Sequence, residues 1–366
     1  MSRLTIILAY ILIVESLAQI ESEFDVNEFF EQNIIVDGEV NYHRLKDKEP
    51  DSLVGQPNFE KDRLGRSVKE ATGIDFGIAH LGSEASLNWQ LKSFESGRFT
   101  GAGLVREGSD LDRLKKEGKY GVLFYTQGVY PLEGDPSRVE DWYDKGLRVL
   151  QLAYGSSAKK PESERLAGGG GGGSKDPSGL TVLGKKVVLE CIRLGIIIDV
   201  SHGNEKSTLE LADYCEKKGV PILANHTPVY ALRIDDRWVR GKTDAEMKAI
   251  ARTDGVVGIF CYGAWLRRSK APGSTMDDFI AHLDYAIKLV GVDHVGVSTD
   301  GYLDGTWIRH KSADGILDSP ERFKVAAKRL HSMGYSEEDL KKIFGGNFMR
   351  VFRVVLDRKY KPQRGR

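Results

Sequence analysis

A chain of 366 residues with 53 basic and 53 acidic side chains carries no formal net charge, so its electrostatics give no sign of a grip on nucleic acid. Its 40% hydrophobic content suffices for a packed core, and its length suits one large α/β barrel better than a small fold. Cys191, Cys215 and Cys261 fit no CxxC or paired spacing and read as buried free thiols.

The start of the chain reads as an export leader rather than as fold. A positive start at residues 1–3 precedes an apolar run at 4–14, and Ser16-Leu17-Ala18 offers small side chains where a signal peptidase inspects them. The run falls well short of the roughly 20 residues a helical membrane span needs. The expectation is cleavage after Ala18, no membrane span thereafter, and a secreted, periplasmic or extracellular location. The basic, polar stretch 359–366 gives no hydrophobic tail for a lipid anchor.

Beyond residue 19 the first half is irregular. Strands are predicted at 34–36, 100–105, 120–125 and 148–152, while 58–94 reads as an insertion or irregular helices. Six glycines at 168–173 read as a flexible loop, a solvated spacer in preference to a mobile lid. The second half repeats one grammar. Leu180, Leu183, Val187, Cys191 and Leu194 share a helical face, Gly195 ends that helix, and 196–201 is a buried strand. A helix over 207–217 leads to a strand at 220–224. Thr243 with Glu246 opens a third helix, followed by a strand at 256–261. Thr275 with Asp278 opens a fourth, ending at Gly291 before a strand at 294–298. Ser336 and Asp339 open a last helical pair broken at Gly345-Gly346. Four strands in each half, alternating with helices, predict one (β/α)8 TIM barrel over 19–366.

Functional groups of such a barrel lie at the C-terminal strand ends. His202 and His226 end adjacent strands, and Asp300 ends the last one. Two neutral imidazoles on neighbouring strands are natural zinc ligands. Position alone leaves open a pair of unrelated loop histidines.

Residues 194–202 (LGIIIDVSH), 224–227 (ANHT), 240–244 (RGKTD), 290–296 (VGVDHVG) and 343–351 (IFGGNFMRV) resemble the membrane dipeptidase (renal dipeptidase, peptidase M19) family. The likeness is collinear from about residue 34 to 352 and dense after 180. It implies a metallo-dependent hydrolase barrel with a binuclear zinc site that cleaves dipeptides. It also implies a His-x-Asp pair on the first strand, a bridging Glu on the third, a His on the fourth and two on the fifth and sixth. An Asp on the eighth strand and a carboxylate-holding Arg complete the set.

His202, His226, Asp300 and Arg240 match that pattern, with Arg237 a rival to Arg240 for the substrate carboxylate. The remainder departs: Glu39 and Asn41 stand at the His-x-Asp positions, Gln127 replaces the bridging Glu, and Tyr154 replaces the fourth-strand His. A bridging ligand shares negative charge between cations roughly 3.5–4 Å apart, which a neutral amide does poorly. The amide nitrogen of Asn41 cannot ligate, whereas Glu39 returns one carboxylate. One zinc is therefore expected rather than two, or none. His202 and His226 are its ligands, Glu39, Gln127 and Asn41 further candidates, Asp300 the catalytic carboxylate, and Arg240 (or Arg237) and Tyr154 the substrate contacts. The predicted activity is hydrolysis of a dipeptide or related small amide. The alternative is an inactive homologue that binds a small ligand. A homodimer is left open.

Overall fold

The computed structural model describes residues 24–40, 68–128, 132, 135–154, 161–171, 174–233, 240–266, 273–301 and 312–358. The segment read as a leader, Asn41, Arg237, Gly172, Gly173 and the C-terminal basic stretch lie outside the described residues.

Eight parallel strands follow one another around a barrel: β1 (Val36–Val40), β2 (Phe76–His80), β3 (Tyr120–Gln127), β4 (Leu147–Gln151), β5 (Ile197–Asp199), β6 (Leu223–Thr227), β7 (Val256–Phe260) and β8 (Val295–Ser298). A parallel bridge between Val40 and Gly301 joins the last strand to the first. The result is a nearly closed (β/α)8 barrel. Helix α1 (Val26–Gln32) precedes β1, and α2 (Val68–Thr72) leads into β2. The outer layer continues with α3 (Glu84–Glu95), α4 (Gly108–Lys116), α5 (Arg138–Asp144), α6 (Val182–Leu194), α7 (Glu205–Lys218), α8 (Asp244–Arg252), α9 (Met276–Val290), α10 (Arg322–Ser332), α11 (Glu337–Lys341) and α12 (Asn347–Leu356).

Helix boundaries follow the predicted caps. Thr181 accepts from the Gly184 amide at the start of α6, and Gly195 ends it in the left-handed conformation that an L side chain avoids. Thr243 with Glu246, Thr275 with Asp278 and Ser336 with Asp339 all form reciprocal capping boxes. No described helix is long and apolar enough to cross a membrane, and all three cysteines are buried and free.

Three expectations are corrected. The segment read as an insertion contains β2, paired in full register with β3. The predicted strand at 100–105 is a short extra strand, Ala102–Leu104, that pairs with β3 outside the barrel order. Strand β2 carries a glycine because Tyr120 and Val40 fill the space where a Gly77 side chain would stand. The glycine run also departs from a solvated spacer. Gly168 and Gly169 are buried, and Gly168 O accepts from Ser207 Oγ at 2.7 Å. Gly170–Gly171 pairs antiparallel with Ser174–Lys175.

The barrel interior is filled by alternating strand residues such as Val36, Ile78, Leu123, Val149 and Val256. Its floor is the Phe348 ring of α12. Gly38 of β1 faces this plug, and a Cβ there would lie 2.8 Å from the ring. With the floor sealed, polar side chains collect at the opposite end.

Candidate metal centre at the barrel mouth

Four strand ends deliver Glu39, His202, His226 and Asp300 to one place. Glu39 lies fully buried near the end of β1, and His226 lies in β6 with no exposure. Asp300 follows β8 with φ at +46°, a backbone conformation that costs energy for a non-glycine residue and that turns the side chain out of the strand line. Glu39, His226 and Asp300 each offer a ligand atom within 4.8 Å of the others. His202 joins them through His226, with the two Nε2 atoms 3.0 Å apart. Zn–N bonds of about 2.0–2.1 Å at tetrahedral angles place two nitrogens roughly 3.3 Å apart, so the imidazoles stand near the separation a shared cation requires.

Beneath the histidines lies a supporting shell. Asn225 Oδ1 is 2.5 Å from His226 Nδ1 and accepts its N–H, which leaves Nε2 with the lone pair. Asp199 accepts from the Asn225 amide at 2.8 Å, and Ser201 Oγ accepts from the His226 amide at 3.1 Å. Ser201 Oγ donates to Asp199 Oδ1 at 2.7 Å, and Tyr125 Oη donates to Asp199 Oδ2 at 3.1 Å. Strand residues that read as ordinary polar positions thus hold the ring in place.

The electrostatics suit a cation. Burial, then the charges of Arg240 and His202, push His226 well below the usual imidazole range, so it is neutral and able to ligate. Burial and the neighbouring Asp300 carboxylate raise Glu39 well above the carboxylate range. Glu39 Oε2 is buried with no hydrogen-bond donor on it, although His226 Nδ1 stands 3.3 Å away. An acceptor left in this state is costly without a partner, and a bound cation would satisfy it.

Other predicted residues take different places. Gln127 donates from Nε2 to Glu39 Oε1 at 3.1 Å; this contact orients the Glu39 carboxylate. Tyr154 is 40% exposed, with its ring 4.8 Å from that of His202. Arg240 is nearly buried, its guanidinium 4.9 Å from the Phe260 ring and 5.4 Å from that of Trp265. Its Nη2 donates to Asp300 Oδ2 at 2.6 Å.

One residue of the mouth was missed by the sequence reading. His80 ends β2 with its ring 5.9 Å from Tyr125 and within electrostatic reach of Asp300. Burial lowers it to about 4, against which Asp300 acts. The signal was present: Ile74, Phe76 and Ile78 alternate after Gly73 and run into His80.

A parallel barrel with imidazoles and carboxylates converging at its C-terminal mouth defines the metallo-dependent hydrolase type. The pattern of the "Membrane dipeptidase (Peptidase family M19)" family matches residues 98–364, and the chain belongs to that family. The matched range includes Gln127, Tyr154, His202, His226, Arg240 and Asp300; β1 and β2, with Glu39 and His80, precede it. Dipeptidase tcpJ of Claviceps purpurea is 26% identical over 256 residues, covering 69% of this chain and 55% of that protein. An uncharacterized dipeptidase of Schizosaccharomyces pombe is 24% identical, with 68% and 58% covered. The chain thus spans little more than half the length of these two relatives. Among solved structures, the probable dipeptidase PvdM from Pseudomonas aeruginosa superposes with a TM-score of 0.74 at 20% identity, covering 91% of this chain and 98% of that one. A metallo peptidase from Rhodobacter sphaeroides, liganded with a phosphinate mimic of the dipeptide L-Ala-D-Ala, superposes at 0.69 with 19% identity, over 88% and 99%.

Proposed function

We propose that this chain is an exported hydrolase of dipeptides or related small amides that works with one zinc ion held by His202, His226 and Glu39, with a fourth position open to water and Asp300 beside it as the proton acceptor. The observation carrying this reading is the convergence of three ligand-bearing side chains within 4.8 Å, with His202 adjoining. Charge supports a single ion. A dication balances the Glu39 and Asp300 carboxylates, and Arg240 then leaves one positive charge for a substrate carboxylate. With Gln127 neutral, a second dication would lack its bridging anion.

When bound, the metal would lower the pKa of a water and polarise the amide carbonyl. The protein's own groups do the rest. Asp300 Oδ receives the proton that leaves the attacking water and passes it to the departing amine. Arg240 holds the substrate carboxylate, its guanidinium fixed against Phe260 and Trp265. The Tyr154 ring covers His202 on the open side. The leader at residues 1–18 supports export, which N-terminal sequencing of the mature protein tests: it should begin at Gln19.

Elemental analysis after exhaustive dialysis, paired with a dipeptide panel, tests the reading. One zinc equivalent and dipeptide turnover are expected. Two equivalents would refute the charge argument. One equivalent with no turnover, but with dipeptide binding, would favour a ligand-binding homologue. The Arg240–Asp300 ion pair bears on that second reading, because it engages the carboxylate that hydrolysis would need as a base.

A further inference from the structure

His202 lies on the loop after β5 and His226 lies near the end of β6, and a buried cation ties together the loops that follow the two strands. Lys242 is fully buried. Its Nζ donates to Gly203 O at 2.8 Å, to Thr208 Oγ1 at 3.0 Å and to Glu246 Oε1 at 2.8 Å. An ammonium has three hydrogens, and all three are used. Gly203 is the residue after His202, so one of these bonds fixes the loop that carries the first imidazole.

The Lys242 backbone ties down the other loop. Its N–H donates to Pro228 O at 3.0 Å and its carbonyl accepts from the Tyr230 amide at 2.9 Å, just beyond His226. Thr227 Oγ1 donates to Arg240 O at 3.1 Å, which joins the segment before Lys242 to the end of β6. Glu246 is held in turn, because its Oε2 accepts from the Thr243 amide at 2.9 Å in the capping box of α8.

Stability alone is a poor reason for this arrangement. A buried ion pair repays its desolvation only partly, and apolar side chains of similar volume are often as stable or more so. An apolar chain at 242 could fill the space, but it could not hold the Gly203 carbonyl. The benefit of the charge is therefore geometric.

We infer that Lys242, held by Glu246, is a positioning residue that sets the spacing of His202 and His226 and the place of Arg240. It touches neither substrate nor metal. The inference rests on the metal-centre reading for its functional meaning, while the positioning itself is testable without metal.

The experiment uses the full chain with Lys242→Met/Glu246→Gln, which removes both charges together and keeps an amide oxygen for the α8 cap. Lys242→Met alone leaves the Glu246 carboxylate buried without a counter-charge and is prone not to fold. Thr253→Val, at the far end of α8, serves as a control that destabilises without reaching Gly203. In metal-free protein, amide exchange at residues 200–204 and 227–230 should accelerate at least tenfold in the double variant, and not in the control. Zinc affinity should fall about 10- to 100-fold, the usual consequence of losing a group that orients a ligand. The visible spectrum of the cobalt(II)-substituted protein should change as well. Exchange in the two loops that stays at the parent rate, or rises only in step with the whole barrel, overturns the inference. Parent protein that binds neither zinc nor cobalt overturns the metal reading instead, and loop exchange then still decides whether Lys242 positions the histidines.

Discussion

Arg240 and Asp300 face each other across the barrel mouth with Nη2 and Oδ2 2.6 Å apart. The guanidinium assigned to the substrate carboxylate thus already holds a carboxylate of the protein. A substrate carboxylate bound as proposed would have to share Arg240 with Asp300 or displace it. Asp300→Asn keeps the shape and removes the competing charge. Hydrolysis should fall by about 10²–10⁴-fold, the usual worth of a general base. Binding of a simple dipeptide to metal-free protein, followed by calorimetry, should tighten. Unchanged turnover would remove Asp300 from the chemistry.

Gln127 donates to Glu39 Oε1, so a carboxyl at 127 would remove that donor and set a further acid against a buried one. Gln127→Glu should destabilise the metal-free protein by about 1–3 kcal/mol, the cost of an unsatisfied buried polar group, and excess zinc should restore stability. Combining it with Glu39→His and Asn41→Asp rebuilds the ligand set that the family likeness implies. That triple variant should take up a second zinc by elemental analysis and cleave simple dipeptides faster than the parent. If Tyr154→His is added and the protein binds two zinc ions without turnover, the pocket has diverged from dipeptides.

His80 is held neutral by burial, with its pKa lowered from 6.5 to about 4. The unfolded chain therefore binds a proton that the folded one refuses between those values. The stabilising contribution is complete above pH 6.5 and is lost as pH falls through 4. The full shift corresponds to about 3 kcal/mol as an upper bound, reduced by screening of a side chain that is only partly covered. Chemical denaturation of His80→Gln in chelator should show a shallower loss of stability from pH 6.5 to 4 than the parent. A parallel pair of curves would place His80 in contact with solvent.

Gly169 leaves no room for a side chain: a Cβ would come within 2.6 Å of both Ala153 Cβ and His202 O. Gly169→Ala should cost about 1–3 kcal/mol by overpacking, and it should weaken zinc binding because the clash falls on the His202 backbone. Gly171→Ala, farther along the same run, serves as the comparison. Equal zinc affinity in the two variants would show that the start of the run does not brace the loop.

The half of the barrel from α6 onward was legible because its helices carry their own caps and its strands are continuous apolar runs. Thr243 with Glu246 marks the start of α8 in the sequence itself. Strand β2 was not legible. Five residues with a glycine in second place and a histidine at the end carry only a short apolar alternation, Phe76 and Ile78, and its membership is decided by pairing with β1 and β3. Residues 37–39 were placed after the first strand because they are polar. They lie within it, where Asp37 pairs with Gly77 of β2 and its side chain accepts from the Thr299 amide at 2.8 Å and hydroxyl at 2.7 Å. His202, His226 and Asp300 could be named because strand ends are easily counted. The donor role of Gln127 and the hold of Lys242 on Gly203 depend on side-chain direction, which spacing does not encode.

The bridge between Val40 and Gly301, with Asp37 bonded to Thr299 across 262 positions of sequence, joins the two ends of the sheet. Glu39 and Asp300 stand on opposite sides of that seam, and their oxygens approach only after the last strand has docked against the first. Contacts so distant in sequence form late and slowly, because the whole intervening loop must first be closed. A cation lying between these two carboxylates would act as a rivet across the join. It would bind the finished ring and not its open precursors, and by mass action would draw the final docking step forward. Saturation with metal would in that case report how many chains have closed, and a ribosome-bound fragment ending before residue 295 would have no such centre to fill.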